Sequence, residues 1–159
     1  MINFASPIEN NKKYKSKILF KLSKVISSNK YILGNENKIL EKKIKEFTKA
    51  KYAITLNSGT DALICSLIAA GIKSGDEVIA PSHTATATIT AIKSLKARVK
   101  FADISKEDFN IDITDLKKKI SKKTKAIIVV HIYGNPAEID KIISLAKNKK
   151  ISIIEDCAQ

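Results

Sequence analysis

Residues 151–159 read ISIIEDCAQ. The apolar run over 151–154 predicts a buried strand that carries Glu155 and Asp156 at its carboxyl end. In an open α/β sheet, ligands bind outside the carboxyl ends of the strands. Asp156 is therefore a candidate partner for a metal, a ribose or a protonated ring nitrogen. The alternative is that Asp156 is the N-cap of a helix that would follow.

Strands and helices alternate along the residues that precede this stretch. This alternation is typical of a mostly parallel sheet covered by helices, so it predicts a three-layer α/β sandwich. The connections bring the carboxyl ends of the strands to comparable edges. The predicted strands are 52–56, 77–80, 99–102, 126–130 and 151–154; the predicted helices are 12–28, 37–49, 60–70, 84–95, 113–120 (N-cap Asp112 or Thr114) and 136–147 (Pro136 at its first position), after an irregular arm over 1–10.

The charge of the chain resembles that of a nucleic-acid-binding protein, but its composition does not. The net charge is +13, yet Arg98 is the only arginine among 29 basic residues. Phosphate and base recognition favour the bidentate fork of arginine. We therefore predict solvated lysine faces and no nucleic-acid partner.

The cysteine count and the hydropathy pattern exclude further classes. Cys65 and Cys157 are too few for a disulfide framework or a zinc site, and no His or Cys spacing indicates a metal. Cys65 lies in an apolar helical pattern, which predicts that it is buried. No apolar run approaches the ~20 residues of a membrane span. We expect no metal site, no membrane partner and a reducing, cytoplasmic location.

A candidate phosphate-binding turn, Asn57-Ser58-Gly59-Thr60-Asp61, lies between a predicted strand and a predicted helix. Gly59 would let an anion approach the backbone, and the first amides of the helix would point at it. The sequence is neither GxGxxG nor Walker A, so a dinucleotide or nucleoside-triphosphate site is disfavoured. The alternative is an ordinary Ser/Thr N-cap followed by a turn glycine.

Two histidines stand at the ends of predicted strands. His83, in PSHTATAT at 81–88, could titrate, stack on a ring or donate a hydrogen bond, or it could be incidental at a polar helix start. His131, in HIYGNP at 131–136, could lie near a ligand. A hydrogen-bonded histidine at a strand end is slightly favoured for His131.

Taken together, these segments resemble the N-terminal half of the DegT-type (DegT/DnrJ, StrS) sugar aminotransferases, a family of fold-type I pyridoxal-phosphate enzymes. The similarity covers nearly the whole chain after the first ten residues, and several linked motifs are more specific than any one of them. The matching pieces are YILG at 31–34, NSGTDAL at 57–63, GDEVIAPSHTATAT at 75–88, TKAIIVVHIYGNPAEID at 124–140 and IIEDCAQ at 153–159.

The resemblance implies a cofactor site for pyridoxal 5'-phosphate. Ser58, Gly59 and Thr60 would hold its phosphate, mainly through the amides of Gly59 and Thr60. Asp156 would pair with the pyridinium nitrogen, and Gln159 would hydrogen-bond the ring hydroxyl. The family's usual stacking ring maps to Ala85, so this chain lacks it, and His83 is expected to substitute in part.

The resemblance also implies an N-terminal fragment, inactive alone. In the family, the Schiff-base lysine lies well downstream of the EDxAQ segment, so no catalytic residue is expected here. Residues 1–30 would be an N-terminal arm and helix. Residues 31–159 would be an incomplete PLP-binding large domain, with the C-terminal part and the small domain absent.

For the whole protein, the resemblance implies amino transfer from an amino acid, with glutamate expected, to a nucleotide-linked keto-sugar in polysaccharide or amino-sugar biosynthesis. A homodimer is expected. One alternative is a dehydratase of the same family, in which histidine replaces the lysine. Another is a degenerate, non-catalytic remnant or aldehyde sensor, which the absence of an aromatic residue at Ala85 would favour.

Overall fold

A computed structural model of the protein describes residues 11–147 and 149–159. The arm predicted over 1–10 lies outside the described residues. The chain divides into two compact units, Met1–Thr55 and Leu56–Gln159.

The described part of the first unit consists of two helices, α1 (Lys15–Ser28) and α2 (Asn35–Thr48). Both are amphipathic, but neither contains a buried residue. The strand predicted over 52–56 is wrong, because this described segment forms no strand. Instead of joining a ladder, Thr55 donates its N–H and its hydroxyl to Glu41 Oε1, each over 2.9 Å.

The second unit alternates helices and strands around one sheet. Its four strands are all parallel and lie in the order β2-β1-β3-β4. The elements are α3 (Gly59–Ala69), β1 (Glu77–Pro81), α4 (Thr86–Ser94), β2 (Arg98–Ala102), α5 (Ile113–Lys119), β3 (Thr124–Val130), a 3-10 turn (Ile132–Gly134), α6 (Ile139–Ala146) and β4 (Ser152–Asp156).

Both faces of the sheet are covered by helices. Along β3, Ile128 packs with α3 and α4 on one face, and Ile127 packs with α5 and α6 on the other. Successive side chains of a strand point to opposite faces, so this central strand is apolar on both. The predicted three-layer sandwich with a parallel sheet is therefore confirmed.

Local geometry corrects two expectations within this unit and confirms a third. Helix α6 begins at Ile139, because residues 135–138 form an irregular segment between the 3-10 turn and the helix, so Pro136 is not its first residue. Cys65 is exposed rather than buried. The buried face of α3 is formed by Leu63 and Leu67. Cys65 lies two positions from each of them, so its side chain points away from that face. Asp112 does cap α5, through a 2.6 Å bond from the Asp115 N–H.

The amino edge of the sheet is closed by a polar network around Glu77, the first residue of β1. Its Oε1 accepts hydrogen bonds from Thr124 Oγ1 (2.6 Å) and Ser121 Oγ (2.9 Å). Lys100 Nζ lies 3.6 Å from its other oxygen. Burial raises the pKa of Glu77, but the two hydroxyl donors and Lys100 outweigh burial, so the pKa lies below its ordinary value.

Candidate functional site

The candidate phosphate turn lies at the start of α3, where Ser58 is the N-cap. Its Oγ accepts from the Asp61 N–H (3.1 Å) and donates to Asp61 Oδ2 (2.7 Å). The Ser58 side chain therefore behaves as the N-cap that the sequence offered as an alternative. Any anion at this turn would depend on other donors.

Those donors are the amides of Gly59 and Thr60. The first N–H groups of a helix have no intrahelical acceptor, and the helix dipole favours negative charge beside them. A Cβ added to Gly59 would meet no heavy atom within 4 Å in the described part of the chain. The backbone at Gly59 is therefore open to a group that a larger residue would obstruct, and Thr60, half-buried, adds a hydroxyl.

Asp156 is the last residue of β4, directly paired with Val130 of β3. Two positions earlier, Ile154 packs into the apolar cluster that contains Leu63 of α3. Residues i and i+2 of a strand lie on one face, so Asp156 lies on the face of the sheet that α3 covers. The carboxylate and the helix start thus share one side of the carboxyl edge.

His131 belongs to the opposite face. Its Nδ1 accepts from the Ala137 N–H (3.0 Å), and its Nε2 lies 3.0 Å from Glu155 Oε2. Because Nδ1 is an acceptor, the ring proton is on Nε2 and is donated to Glu155. Ala137 packs among α5 and α6 residues. The structure thus brings His131 together with Glu155 rather than with Asp156. This agrees with the favoured prediction that His131 is a hydrogen-bonded histidine at a strand end.

His83 and Gln159 meet at Tyr133. His83 Nε2 lies 2.8 Å from the Tyr133 hydroxyl, and Gln159 Oε1 accepts from the Tyr133 N–H. Ala85 is the exposed N-cap of α4 and has no side-chain cap bond. Nothing in the sequence marks Tyr133 as a site residue, although the Gly-Asn-Pro turn that follows it is a weak signal.

The electrostatics at the end of β4 are negative. Burial, and then the charges of Glu155 and Asp156, raise the pKa of the Cys157 thiol above its ordinary value. The carboxylate contribution to this shift, unlike the contribution of burial, would favour a cation. Of the two carboxylates, Asp156 lies on the face that α3 covers, where it would favour a protonated ring nitrogen.

Two absences complete the description of residues 11–147 and 149–159. None of the helices there combines the length and hydropathy needed to cross a bilayer. In the same residues, no group of three His, Cys, Asp or Glu side chains is placed to hold a metal ion.

The fold and the site define a class: three-layer α/β proteins in which a helix start and a carboxylate lie on one face at the carboxyl edge of a parallel sheet. Within that class, the chain belongs to the DegT/DnrJ/EryC1/StrS aminotransferase family, whose model matches residues 12–159. The resemblance drawn from the motifs is thereby confirmed.

Curated relatives of this chain include, by name, a nucleotide-sugar transaminase and the synthase of a GDP-linked sugar. The chain is 38% identical over 159 residues to dTDP-3-amino-3,6-dideoxy-alpha-D-galactopyranose transaminase of Aneurinibacillus thermoaerophilus, covering 100% of this chain and 44% of the relative. It is 42% identical over 126 residues to GDP-perosamine synthase of Escherichia coli O157:H7, covering 79% and 35%. The chain thus spans less than half the length of these relatives.

Solved structures agree with this assignment. DesV of S. venezuelae superposes with a TM-score of 0.96 at 31% identity, over 99% of this chain and 43% of DesV. NtdA of Bacillus subtilis, with bound cofactor PMP, gives 0.89 at 32% identity, over 92% and 34%. E. coli GDP-4-keto-6-deoxy-D-mannose-3-dehydratase, with bound hydrated PLP, gives 0.80 at 29% identity, over 98% and 39%. Structural neighbours in this family therefore carry pyridoxal or pyridoxamine phosphate.

Proposed function

We propose that the protein to which this chain belongs is a pyridoxal-phosphate-dependent aminotransferase. It would move an amino group from glutamate to a nucleotide-linked keto-sugar. The observation that carries the proposal is that Asp156 and the start of α3 share one face of the sheet's carboxyl edge. An anion-binding helix start and a carboxylate on one face suit a ligand with a phosphate at one end and a basic ring nitrogen at the other.

The residues present fit that cofactor. Gly59 offers an amide beside open space for the phosphate, and Thr60 offers an amide and a hydroxyl. Asp156 would hold the proton on the ring nitrogen, because an adjacent carboxylate favours the cationic form. Gln159 would bind the ring hydroxyl. When bound, the cofactor supplies the electron sink for the bond that breaks at the substrate carbon.

The proposal assigns the binding residues to this chain and assigns no catalytic residue to it. Ala85 offers only a methyl group near the ring face, so cofactor affinity would depend more heavily on Asp156 and the α3 amides. His83 is proposed as a partial substitute for the usual aromatic ring. We retain the division into an arm and helix over 1–30 and a cofactor-binding domain over 31–159 as part of the proposal.

Titration with pyridoxamine phosphate tests the proposal, because this form of the cofactor needs no lysine to attach it. We expect Asp156→Asn to weaken its affinity about tenfold or more, since a hydrogen bond to a charged group contributes about 1.5–3 kcal/mol. The matched control is Glu155→Gln, which changes the neighbouring carboxylate on the opposite face and should alter affinity less than about threefold. Equal losses in the two variants, or none in Asp156→Asn, would remove the proposal.

A dehydratase is the second candidate function, favoured by the likeness to E. coli GDP-4-keto-6-deoxy-D-mannose-3-dehydratase. Both reactions consume an amino donor, so we propose to follow the nitrogen. With ¹⁵N-glutamate and a nucleotide-linked keto-sugar, an aminotransferase places ¹⁵N in the sugar, whereas a dehydratase releases ¹⁵N-ammonium and a deoxy sugar. The labelled product decides between the two.

We further propose that the protein works as a homodimer in the cytoplasm, in the synthesis of amino sugars for polysaccharides. The names of the relatives support the sugar class. Light scattering of the purified protein tests the dimer, and a monomer at micromolar concentration would contradict it.

A further inference from the structure

Three ring side chains meet at the carboxyl edge of the sheet, each from the loop after a different strand. Phe109 follows β2, His83 follows β1 and Tyr133 follows β3. The ring centroids of His83 and Tyr133 lie 5.9 Å apart, with the 2.8 Å hydrogen bond between them. Phe109 stands edge-on to Tyr133 at 6.2 Å. We call these three residues the aromatic row; their spacings are those of attractive ring pairs.

Two members of the aromatic row have unusual backbones. Phe109 has φ 61° and Tyr133 has φ 57°. A bulky residue in this left-handed region is an outlier, and such strain persists only where the surrounding structure enforces it. Outliers of this kind concentrate at ligand-binding and catalytic sites.

A buried asparagine links the two turns that carry these residues. Asn110 is 3% exposed; its Oδ1 accepts from the Ile132 N–H (3.4 Å) and its Nδ2 donates to Asp108 Oδ2 (3.1 Å). On the other side, the Tyr133 N–H is donated to Gln159 Oε1. The turns that carry Phe109 and Tyr133 are therefore joined through one side chain, which fixes the two rings relative to each other.

The rings are fixed but not buried. Tyr133 is 66% exposed and Phe109 is 47% exposed. A single exposed aromatic side chain needs no explanation. Two adjacent ones, each in a strained conformation and linked by a shared buried asparagine, indicate a surface that is preorganised for a ligand.

The aromatic row continues directly into the proposed cofactor site. Gln159, the proposed partner of the ring hydroxyl, also accepts the Tyr133 N–H. In amino transfer, the acceptor carbon of the sugar must reach the reactive atom of the cofactor. The part of the substrate next to the cofactor is therefore the sugar ring rather than the nucleobase.

We propose that the aromatic row binds the pyranose ring of the sugar substrate, an inference that rests on the proposed function. The C–H face of a pyranose packs on the Tyr133 ring through weak C–H contacts, and Phe109, whose ring is inclined at 83° to that of Tyr133, contacts the edge of the sugar. The Tyr133 hydroxyl and the His83 imidazole, already hydrogen-bonded to each other, offer a donor and an acceptor to sugar hydroxyls. Tyr133 and Phe109 then determine affinity for the sugar, and not for the nucleotide.

Glycine variants test this proposal without endangering the fold. Tyr133→Gly and Phe109→Gly remove the rings at positions where glycine adopts the required φ freely. The control is Lys96→Gly, at an exposed residue with φ 56° in the loop before β2. Each variant is titrated calorimetrically with UDP-glucose, dTDP-glucose and GDP-mannose, with the matching free nucleoside diphosphates, and with pyridoxamine phosphate.

We expect Tyr133→Gly to weaken the tightest nucleotide-sugar about tenfold, the upper range for an aromatic contact. Tyr133→Phe, which keeps the ring, should lose about threefold or less. Affinity for the free diphosphate should not change, affinity for pyridoxamine phosphate should fall less than affinity for the nucleotide-sugar, and Lys96→Gly should match the wild type throughout.

Three results would overturn the proposal. The first is that the wild type binds nucleotide-sugar and cofactor, and Tyr133→Gly and Phe109→Gly bind the nucleotide-sugar as tightly as the wild type. The aromatic row is then not a sugar site, whereas the proposed function is unaffected. If the two variants weaken pyridoxamine phosphate or the free diphosphate equally, the row binds the cofactor or the nucleotide instead. If the wild type binds pyridoxamine phosphate but none of the nucleotide-sugars, both the row and the proposed substrate class fail.

Discussion

The two edges of the sheet contain similar polar residues that have different partners. At the amino edge, Glu77 is bonded by Ser121 and Thr124 and flanked by Lys100. At the carboxyl edge, half-buried Asp156 accepts the Ala158 N–H at Oδ1 over 3.1 Å, and the α3 amides lie beside open space at Gly59. Polar groups that find partners within the chain stabilise it. Polar groups that are fixed in place but left accessible indicate where a ligand supplies the partner.

The two edges should respond differently to mutation, and we expect the largest difference, a loss of ligand affinity, for Gly59→Ala at the carboxyl edge. A Cβ there has no steric conflict within the protein, and alanine favours a helix over glycine, so stability should be unchanged or slightly higher. The methyl group would, however, hold a phosphate away from the amides. We expect pyridoxamine phosphate affinity to fall about thirtyfold, or about 2 kcal/mol, in calorimetric titration. A variant that binds like the wild type would show that the turn is only a helix cap.

Glu77→Gln should have the opposite profile, with lost stability and intact ligand binding. Charge-assisted hydrogen bonds are about twice as strong as neutral ones, so we expect a loss of about 1.5 kcal/mol in urea unfolding. The control is Glu46→Gln, whose pair with Lys42 is largely exposed at 3.9 Å and should contribute about 0–0.5 kcal/mol. If the two variants lose the same stability, the amino-edge network has no special role.

The pH dependence of unfolding gives Glu77 a second signature. Its folded pKa lies below the ordinary, unfolded value near 4.5. Its contribution is therefore complete above that ordinary value and is lost as the pH falls through the lower, folded pKa. Wild type and Glu77→Gln should converge in stability at low pH. A difference that stays constant down to that range would contradict the assignment.

Gly75→Ala is the amino-edge counterpart of Gly59→Ala. Neither position has a heavy atom within 4 Å of an added Cβ in the described residues, but Gly75 has φ +86°. Alanine in the left-handed region costs about 1 kcal/mol, which thermal or urea unfolding should detect. Pyridoxamine phosphate affinity should be unchanged. A binding loss here would mean that the two edges are coupled.

The smallest effect concerns the field at the end of β4. In a Cys65→Ser background, iodoacetamide should alkylate Cys157 a few-fold more slowly in the native protein than in urea at pH 8, because its raised pKa depletes the thiolate. Glu155→Gln should recover part of the rate. If native and unfolded rates coincide across the pH range, the raised pKa of Cys157 is contradicted.

The sequence was sufficient for the architecture wherever the signal is periodic. The apolar residues of β3 and their spacing from α5 and α6 predict a parallel sheet covered on both faces, and the structure contains it. The segment 52–56 has a similar pattern but no ladder. The hydrophobic pattern predicts an extended amphipathic segment. Whether that segment joins a sheet depends on hydrogen bonds to a neighbouring strand, which the pattern does not identify.

The site was predictable only in part, for physical reasons. A strand-end carboxylate and a turn before a helix place Asp156 and Gly59 from local pattern alone. Tyr133 and Phe109 adopt left-handed backbone conformations that bulky residues disfavour. Rules based on residue propensity therefore do not predict their positions. The role of His131 is decided by the Ala137 amide six residues later, a contact that no spacing rule specifies.

Glu155 and Asp156 are consecutive residues whose side chains serve opposite sides of the sheet, one bonded to His131 and the other turned toward α3. Which carboxylate faces which side of the sheet therefore depends on whether its position along the strand is odd or even. Removing or adding one residue within 152–154 would exchange the two carboxylates and present the wrong one to each side. Removing or adding two residues would leave each carboxylate on its present face and only move both of them along the strand direction. The length of this short strand is thus constrained in an odd–even manner, more strictly than the identity of the apolar residues that fill it.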